Sequence, residues 1–338
     1  MSSLMELGEF GFIQRVAAMV GGTPEGVECG IGDDCAVIDV GGPEKLLIAT
    51  DAALESRHFD LEWMTTFEAA QRTVAGALSD IAAMGGHPLA LLCTAAIPRT
   101  TPSDAALNLM SGVAGTGTRY GAPLIGGDTV AAAEHIMLDV VVIGFAKRPW
   151  LRSGARPGDR LVLTGPVGEA QAALQIMLTN PDLLREPQYA PLRKRMVDPT
   201  PRLREAAVLA ATDHVRAAID VSDGLYQDAS HVARASGVRL EIEVRCLPET
   251  VATRLAADYM RDKAPWWAAA SGEEYELLLA VDRDSVPDAN RHLKKAGLNP
   301  LTVIGDVVHG EGVALIRPDG SEMELERGGW DHFKGVQG

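Results

Sequence analysis

The chain is short of bases. Across 338 residues, 31 Lys and Arg stand against 46 Asp and Glu, a formal net charge of −15 at pH 7. Such a surface repels other polyanions, which argues against nucleic acid or an anionic membrane as a partner. Cysteine is scarce too. Cys29, Cys35, Cys93 and Cys246 form no CxxC pair and no Cys/His cluster with zinc spacing, so free thiols in a reducing cytoplasm are expected. No apolar run reaches the roughly 18 residues of a membrane span, and the longest candidate, 136–146, is broken by Asp139. Acids stand where a secretory signal would carry bases, so the expectation is a soluble, cytoplasmic protein. Familiar phosphate cradles are missing as well: there is no GxxxxGK[ST] and no kinase-type glycine loop, and 115–121 has the wrong spacing for a dinucleotide fingerprint.

What is present is an ordinary globular composition, 46% hydrophobic and 23% charged, over a length that suggests two domains. Apolar periodicity predicts helices over 8–20, 65–84 and 103–120, the last with Ser103 as N-cap. Strands are expected at 35–40 and 45–51 around the turn Gly41-Gly42-Pro43, and at 89–97, 122–125 and 135–145. The stretch 147–159 carries prolines and arginines and reads as a boundary, giving domains 1–148 and 149–338. Beyond it strands are expected at 160–164, 217–221, 239–244 and 275–281, with a helix from Glu169 and a polar, proline-containing insert at 180–201 as a candidate mobile segment. The fold class expected is α/β, with strands and helices mixed in both halves.

The informative residues are acids in the wrong places. Asp33 and Asp34 lie in Gly-Ile-Gly-Asp-Asp-Cys-Ala-Val, Asp51 ends an apolar strand, and Asp80 lies inside Leu-Ser-Asp-Ile-Ala-Ala-Met-Gly. Asp128 follows Leu-Ile-Gly-Gly, and Asp220 and Asp223 flank Val-Ser in Ile-Asp-Val-Ser-Asp-Gly. Any one of these alone reads as a cap or turn acid. Ionised carboxylates near a core are costly unless paired or metal-bound, and few bases are nearby. The set together suggests oxygen-liking divalent cations, Mg²⁺ above all, bridging the protein to a polyphosphate.

The ordered motifs Gly30-Ile31-Gly32-Asp33-Asp34, Thr50-Asp51 with His58-Phe59, Leu78-Ser79-Asp80, Gly126-Gly127-Asp128-Thr129, Arg152-Ser153-Gly154, Asp220-Val221-Ser222-Asp223-Gly224, Glu273-Glu274-Tyr275-Glu276-Leu277 and Trp330-Asp331-His332-Phe333 resemble the thiamine-monophosphate kinase family over nearly the whole chain. That family belongs to a wider ATP-binding superfamily with aminoimidazole ribotide and selenophosphate synthetases. The resemblance implies a two-domain fold and a homodimer whose N-terminal sheets pair across the interface. The implied N-terminal domain binds ATP and Mg²⁺ and dimerises, and the implied C-terminal domain is α/β. Several Mg²⁺ are implied, and a K⁺ requirement is left open.

Carried over by position, Asp34, Thr50, Asp51, Asp80, Asp128, Asp220 and Asp223 resemble metal ligands. Gly127, Asp128, Arg152 and Ser222 resemble ATP contacts, and His58, Glu273 and Trp330 resemble the thiamine-phosphate site. The implied reaction is ATP plus thiamine monophosphate to thiamine diphosphate and ADP. Its acceptor is already an oxyanion, so no catalytic base is expected, only positioning and electrostatic stabilisation. Departures from the family pattern stand at Ala49, Ala77, Ser271 and Glu274. Two alternatives remain: another ATP-dependent synthetase or dehydratase of the superfamily, or a non-catalytic divalent-metal or nucleotide-binding protein.

Overall fold

The computed structural model describes residues 3–262 and 264–323. Two sheets organise it. The first holds β1 (Val27–Cys29), β2 (Ala36–Ile38), β3 (Lys45–Leu54), β4 (His87–Pro98), β5 (Leu124–Ala132) and β6 (Met137–Ala146) in the order β1-β2-β3-β6-β4-β5. Its neighbours are antiparallel except β4 and β5, which run parallel. Three helices accompany it: α1 (Leu4–Val20), α2 (Thr66–Ala83) and α3 (Ser103–Arg119). The parallel pair needs a crossover, and α3 supplies it.

The second sheet holds β7 (Arg160–Leu163), β8 (Val215–Asp220), β9 (Arg239–Glu243), β10 (Leu277–Val281), β11 (Thr302–Val308), β12 (Gly312–Ile316) and β13 (Glu322–Met323), ordered β13-β12-β9-β11-β7-β10-β8. Around it lie α4 (Glu169–Thr179), α5 (Ala190–Val197), α6 (Leu203–Ala210), α7 (Leu225–Ser236), α8 (Val251–Met260), α9 (Ala264–Ala270) and α10 (Val286–Lys295). Among the described residues no helix is long and apolar enough to cross a membrane.

Helix α2 joins the two halves. A capping box of Thr65 and Glu68 starts it, and Gly85, with φ 64°, lies just beyond its end. One side packs on β3 and β6, and other faces meet α5, α6 and β8 of the second half. Nearly every side chain from Ala69 to Ala83 is therefore buried. Small residues dominate that run, which lets both halves approach the helix closely.

Several expectations change. Helix α1 starts at Leu4, because Ser3 and Glu6 form a capping box, and Gly8 (φ 70°) breaks it where the helix was expected to begin. Ser103 is the first helical residue of α3; Pro102 occupies the cap without a side-chain bond. Strand β5 extends to Ala132, so Gly126 to Thr129 lie within a strand. Gly127 is tolerated there because no side chain has to fit: a Cβ would lie 1.9 Å from the Cys93 carbonyl oxygen, at φ 151°. Residues 180–201 form two 3₁₀ turns and α5, burying Leu184, Tyr189, Leu192 and Met196. Tyr275 and Glu276 precede β10; Glu273 and Tyr275 take left-handed backbone, φ 57° and 52°.

Candidate functional site

Where the two sheets meet across α2, three carboxylates converge. Asp34 comes from the loop before β2, Asp80 from the last turn of α2 and Asp220 from the end of β8, and one oxygen of each lies within 4.8 Å of the others. The apolar segments that deliver them explain the convergence: each acid is the polar end of an element that must bury its other residues. Arg152, in the connector between the sheets, donates Nε and Nη2 to Asp34 Oδ1 at 3.2 and 2.5 Å. Its backbone N–H donates to Asp33 Oδ2 at 3.1 Å, tying connector to loop.

One arginine does not compensate this much charge. Burial, then the charges of Asp220, Asp34 and Asp51, pushes the Asp80 carboxyl well above the usual carboxylate range. Asp220 is pushed up to about 7 by burial first and Asp34 next, and Asp33 to about 6 by burial and Asp34. Asp34 is raised by burial despite Arg152. Its Oδ2 is buried and receives no hydrogen bond from the described residues. A buried, unpartnered carboxylate oxygen beside two other carboxylates is what a hard divalent cation requires, so these residues fit Mg²⁺.

The remaining candidates fall into two groups. Asp51 approaches the cluster across α2: a Cβ on Gly76 would lie 3.1 Å from Asp51 Oδ2 and 3.0 Å from the Tyr275 hydroxyl, so glycine leaves both groups room. Ser222 and Asp223 follow Asp220 in a loop held by a residue the sequence reading missed. Asp228 Oδ2 accepts the backbone N–H groups of Ser222, Asp223 and Gly224 at 3.1, 3.2 and 3.0 Å. Its signal was an acid in the first turn of the helix after Ser-Asp-Gly. Thr50, by contrast, gives its hydroxyl to Asp139 at 2.5 Å. Asp128 is exposed on β5 and caps its neighbour's N–H, Thr129, at 2.8 Å. His58 Nδ1 accepts the Leu54 N–H at 2.9 Å within its own turn. Trp330 lies outside the described residues.

Glu273 pairs with Arg72, a buried α2 arginine also missed in the sequence, which donates to the Met196 carbonyl at 2.7 Å as well. Behind Glu273 lies a second acid cluster. Arg195 from α5 contacts Glu169, Glu274 and Glu276 at 2.9, 3.4 and 3.1 Å and donates to the Glu274 carbonyl at 2.6 Å. Arg202 adds a further pairing to Glu276. Two of the family departures meet here: the Ser271 hydroxyl donates to Glu274 Oε1 at 2.6 Å, so the longer acid and the serine form one bonded pair.

The family models for AIR synthase related protein match at residues 32–146 for the N-terminal domain and 156–317 for the C-terminal domain. A thiamine-monophosphate kinase of Salmonella typhimurium is 33% identical over 340 aligned positions, covering 97% of this chain and 99% of the relative. The chain belongs to the thiamine-monophosphate kinase family. Within it, the Pyrococcus horikoshii kinase is 32% identical, covering 90% of this chain and 91% of its own. The solved structure of AaThiL complexed with AMPPCP and TMP superposes with TM-score 0.85 at 28% identity, covering 98% of this chain and 99% of that one. Family membership accounts for the two-sheet α/β architecture.

Proposed function

We propose that this chain is an ATP-dependent kinase that transfers a phosphoryl group to thiamine monophosphate, giving thiamine diphosphate and ADP. The observation that carries this is the undercompensated cluster of Asp34, Asp80 and Asp220 facing Arg152, in a chain that matches thiamine-monophosphate kinases over its full length. The bound ATP analogue and TMP of AaThiL support the same substrates here.

In this proposal Asp34, Asp51, Asp80, Asp220 and Asp223, with Asp128 and Thr50, hold Mg²⁺. When bound, Mg²⁺ offsets the negative charge of the phosphates and lets two anions approach. Gly127, Asp128, Arg152 and Ser222 contact ATP; His58, Glu273 and Trp330 contact the thiamine substrate. Asp228 positions the Ser222–Gly224 loop. A phosphate oxygen of the acceptor forms the new bond to the γ-phosphorus as the bond to ADP breaks, and no proton has to move, so a general base is unnecessary. We further propose residues 1–148 as the ATP-, Mg²⁺- and dimer-forming unit, residues 149–338 as the partner α/β unit, and a cytoplasmic homodimer as the working form.

Incubation with ATP, Mg²⁺ and thiamine monophosphate, followed by chromatography, tests the reaction. Thiamine diphosphate equimolar with ADP is expected. ADP without diphosphate would point to another superfamily activity, and metal binding with no turnover to a binding protein; either result refutes the kinase.

A further inference from the structure

Arg72 and Arg195 are the two buried arginines among the described residues. Arg195 is committed to three glutamates. Arg72 is placed differently. It shares one face of α2 with Gly76 and Asp80, at spacings of four residues, and a rise of about 1.5 Å per residue puts it about 12 Å along the helix from Asp80. The floor between them is opened by Gly76 and carries Asp51 and the Tyr275 hydroxyl. One end of this floor is thus the carboxylate cluster, and the other end is a buried guanidinium.

A buried guanidinium needs an anion. Here that anion is Glu273, whose side chain is 42% exposed and whose backbone is left-handed, on a turn whose Glu273 N–H donates to the Ser222 carbonyl at 2.7 Å. This partner can be exchanged without unpacking a core. Thiamine monophosphate carries both signs of charge, a permanent thiazolium cation and a phosphate. Its two charges match the two halves of the Arg72–Glu273 pair. Resting on the kinase reading above, we propose that Arg72 binds the phosphate of thiamine monophosphate, and that the substrate replaces the Arg72–Glu273 pair with two contacts of its own. Glu273 then faces the cationic ring while the planar guanidinium grips the acceptor phosphate, a match that arginine makes better than lysine. Arg72 would then hold the acceptor phosphate about two helical turns along α2 from Asp80.

The test compares two ligands that differ only in the phosphate, thiamine monophosphate and thiamine, by calorimetry on the full chain. Wild type binds the phosphorylated ligand more tightly. In Arg72→Met that preference disappears: affinity for thiamine monophosphate falls about 10- to 100-fold, the scale of a lost charged hydrogen bond, while affinity for thiamine is unchanged. Arg72→Lys recovers part of the preference, and KM for ATP stays at the wild-type value in both. Glu273→Gln weakens the two ligands equally. Equal weakening of both ligands in Arg72→Met would show that Arg72 acts only through Glu273, and an unchanged affinity for thiamine monophosphate would remove it from the site; either overturns the proposal. Should circular dichroism show Arg72→Met unfolded, Arg72→Lys decides, because an unaltered ratio of the two affinities contradicts a phosphate contact. Failure of the kinase reading looks different: wild type itself would show no thiamine diphosphate and no preference for the phosphorylated ligand.

Discussion

The molecule buries acids in two places and supplies them with different amounts of positive charge, two guanidiniums for one group and one for the other. Around Arg195, the carboxylates of Glu169, Glu274 and Glu276 meet two arginines, Ser271, Thr164 and the N–H groups that open α4. Burial alone would raise Glu276, but Arg202 and Arg195 hold its carboxyl below the usual range. Around Asp80, three carboxylates share Arg152 and their carboxyls are pushed up. The first cluster has two guanidiniums for its three carboxylates and fixes the Glu273–Glu276 turn, although burial still pushes Glu274, whose Oε2 lies 3.4 Å from Arg195 Nε without a hydrogen bond, up to about 7. The second has one guanidinium for its three carboxylates. The number of guanidiniums per carboxylate, more than acidity or burial, distinguishes the two clusters.

The difference can be broken from either side. Asp80→Asn is expected to lower turnover by more than about 100-fold, beyond the scale of a lost supporting contact at a metal site. It should also leave the metal-free protein at least as stable as wild type, since one repelling charge is gone; steady-state kinetics and thermal melting check both halves. Arg195→Met has the reverse profile. Stripping the partner from buried glutamates should cost about 3–5 kcal/mol of stability, read from urea unfolding.

The pH dependence sharpens the contrast. Burial and the Asp34 charge push Asp220 up to about 7 in the folded chain, from the 3.8 of an unperturbed carboxyl. An acid raised on folding contributes stability that is present below about 3.8 and lost as pH rises through about 7. Metal must displace that proton, so stabilisation by Mg²⁺ should be larger at pH 8 than at pH 5. Equal shifts in melting temperature at the two values would contradict a carboxylate metal site. The smallest effect belongs to the departures at Ser271 and Glu274. Ser271→Gly and Glu274→Asp should be coupled by about 1 kcal/mol in a double-mutant cycle, since each loses the same hydrogen bond.

Much of this was legible in the sequence, for identifiable reasons. Asp34, Asp80 and Asp220 stood out because apolar segments deliver them, and the strongly periodic α2 and β6 could be placed within a residue or two. The 180–201 segment was not legible as a packed element, because prolines and charges interrupt the apolar residues that it buries. Arg72, Arg195 and Asp228 were invisible for a related reason. A single charged residue on a helix ordinarily faces water, and only the packing of α2, α5 and α7 against other elements turns these three inward. Thr50 was legible as a strand residue, but its cross-strand partner Asp139 was not.

If the cluster around Asp80, and not the better-paired one around Arg195, holds metal, the two respond differently to the loss of one carboxylate. Calorimetric titration of Mg²⁺ into the full chain with the ATP analogue AMPPCP present tests it most directly. Binding is expected in wild type and in Glu274→Gln, and should be lost or greatly weakened in Asp80→Asn. Undiminished Mg²⁺ binding by Asp80→Asn would contradict the account.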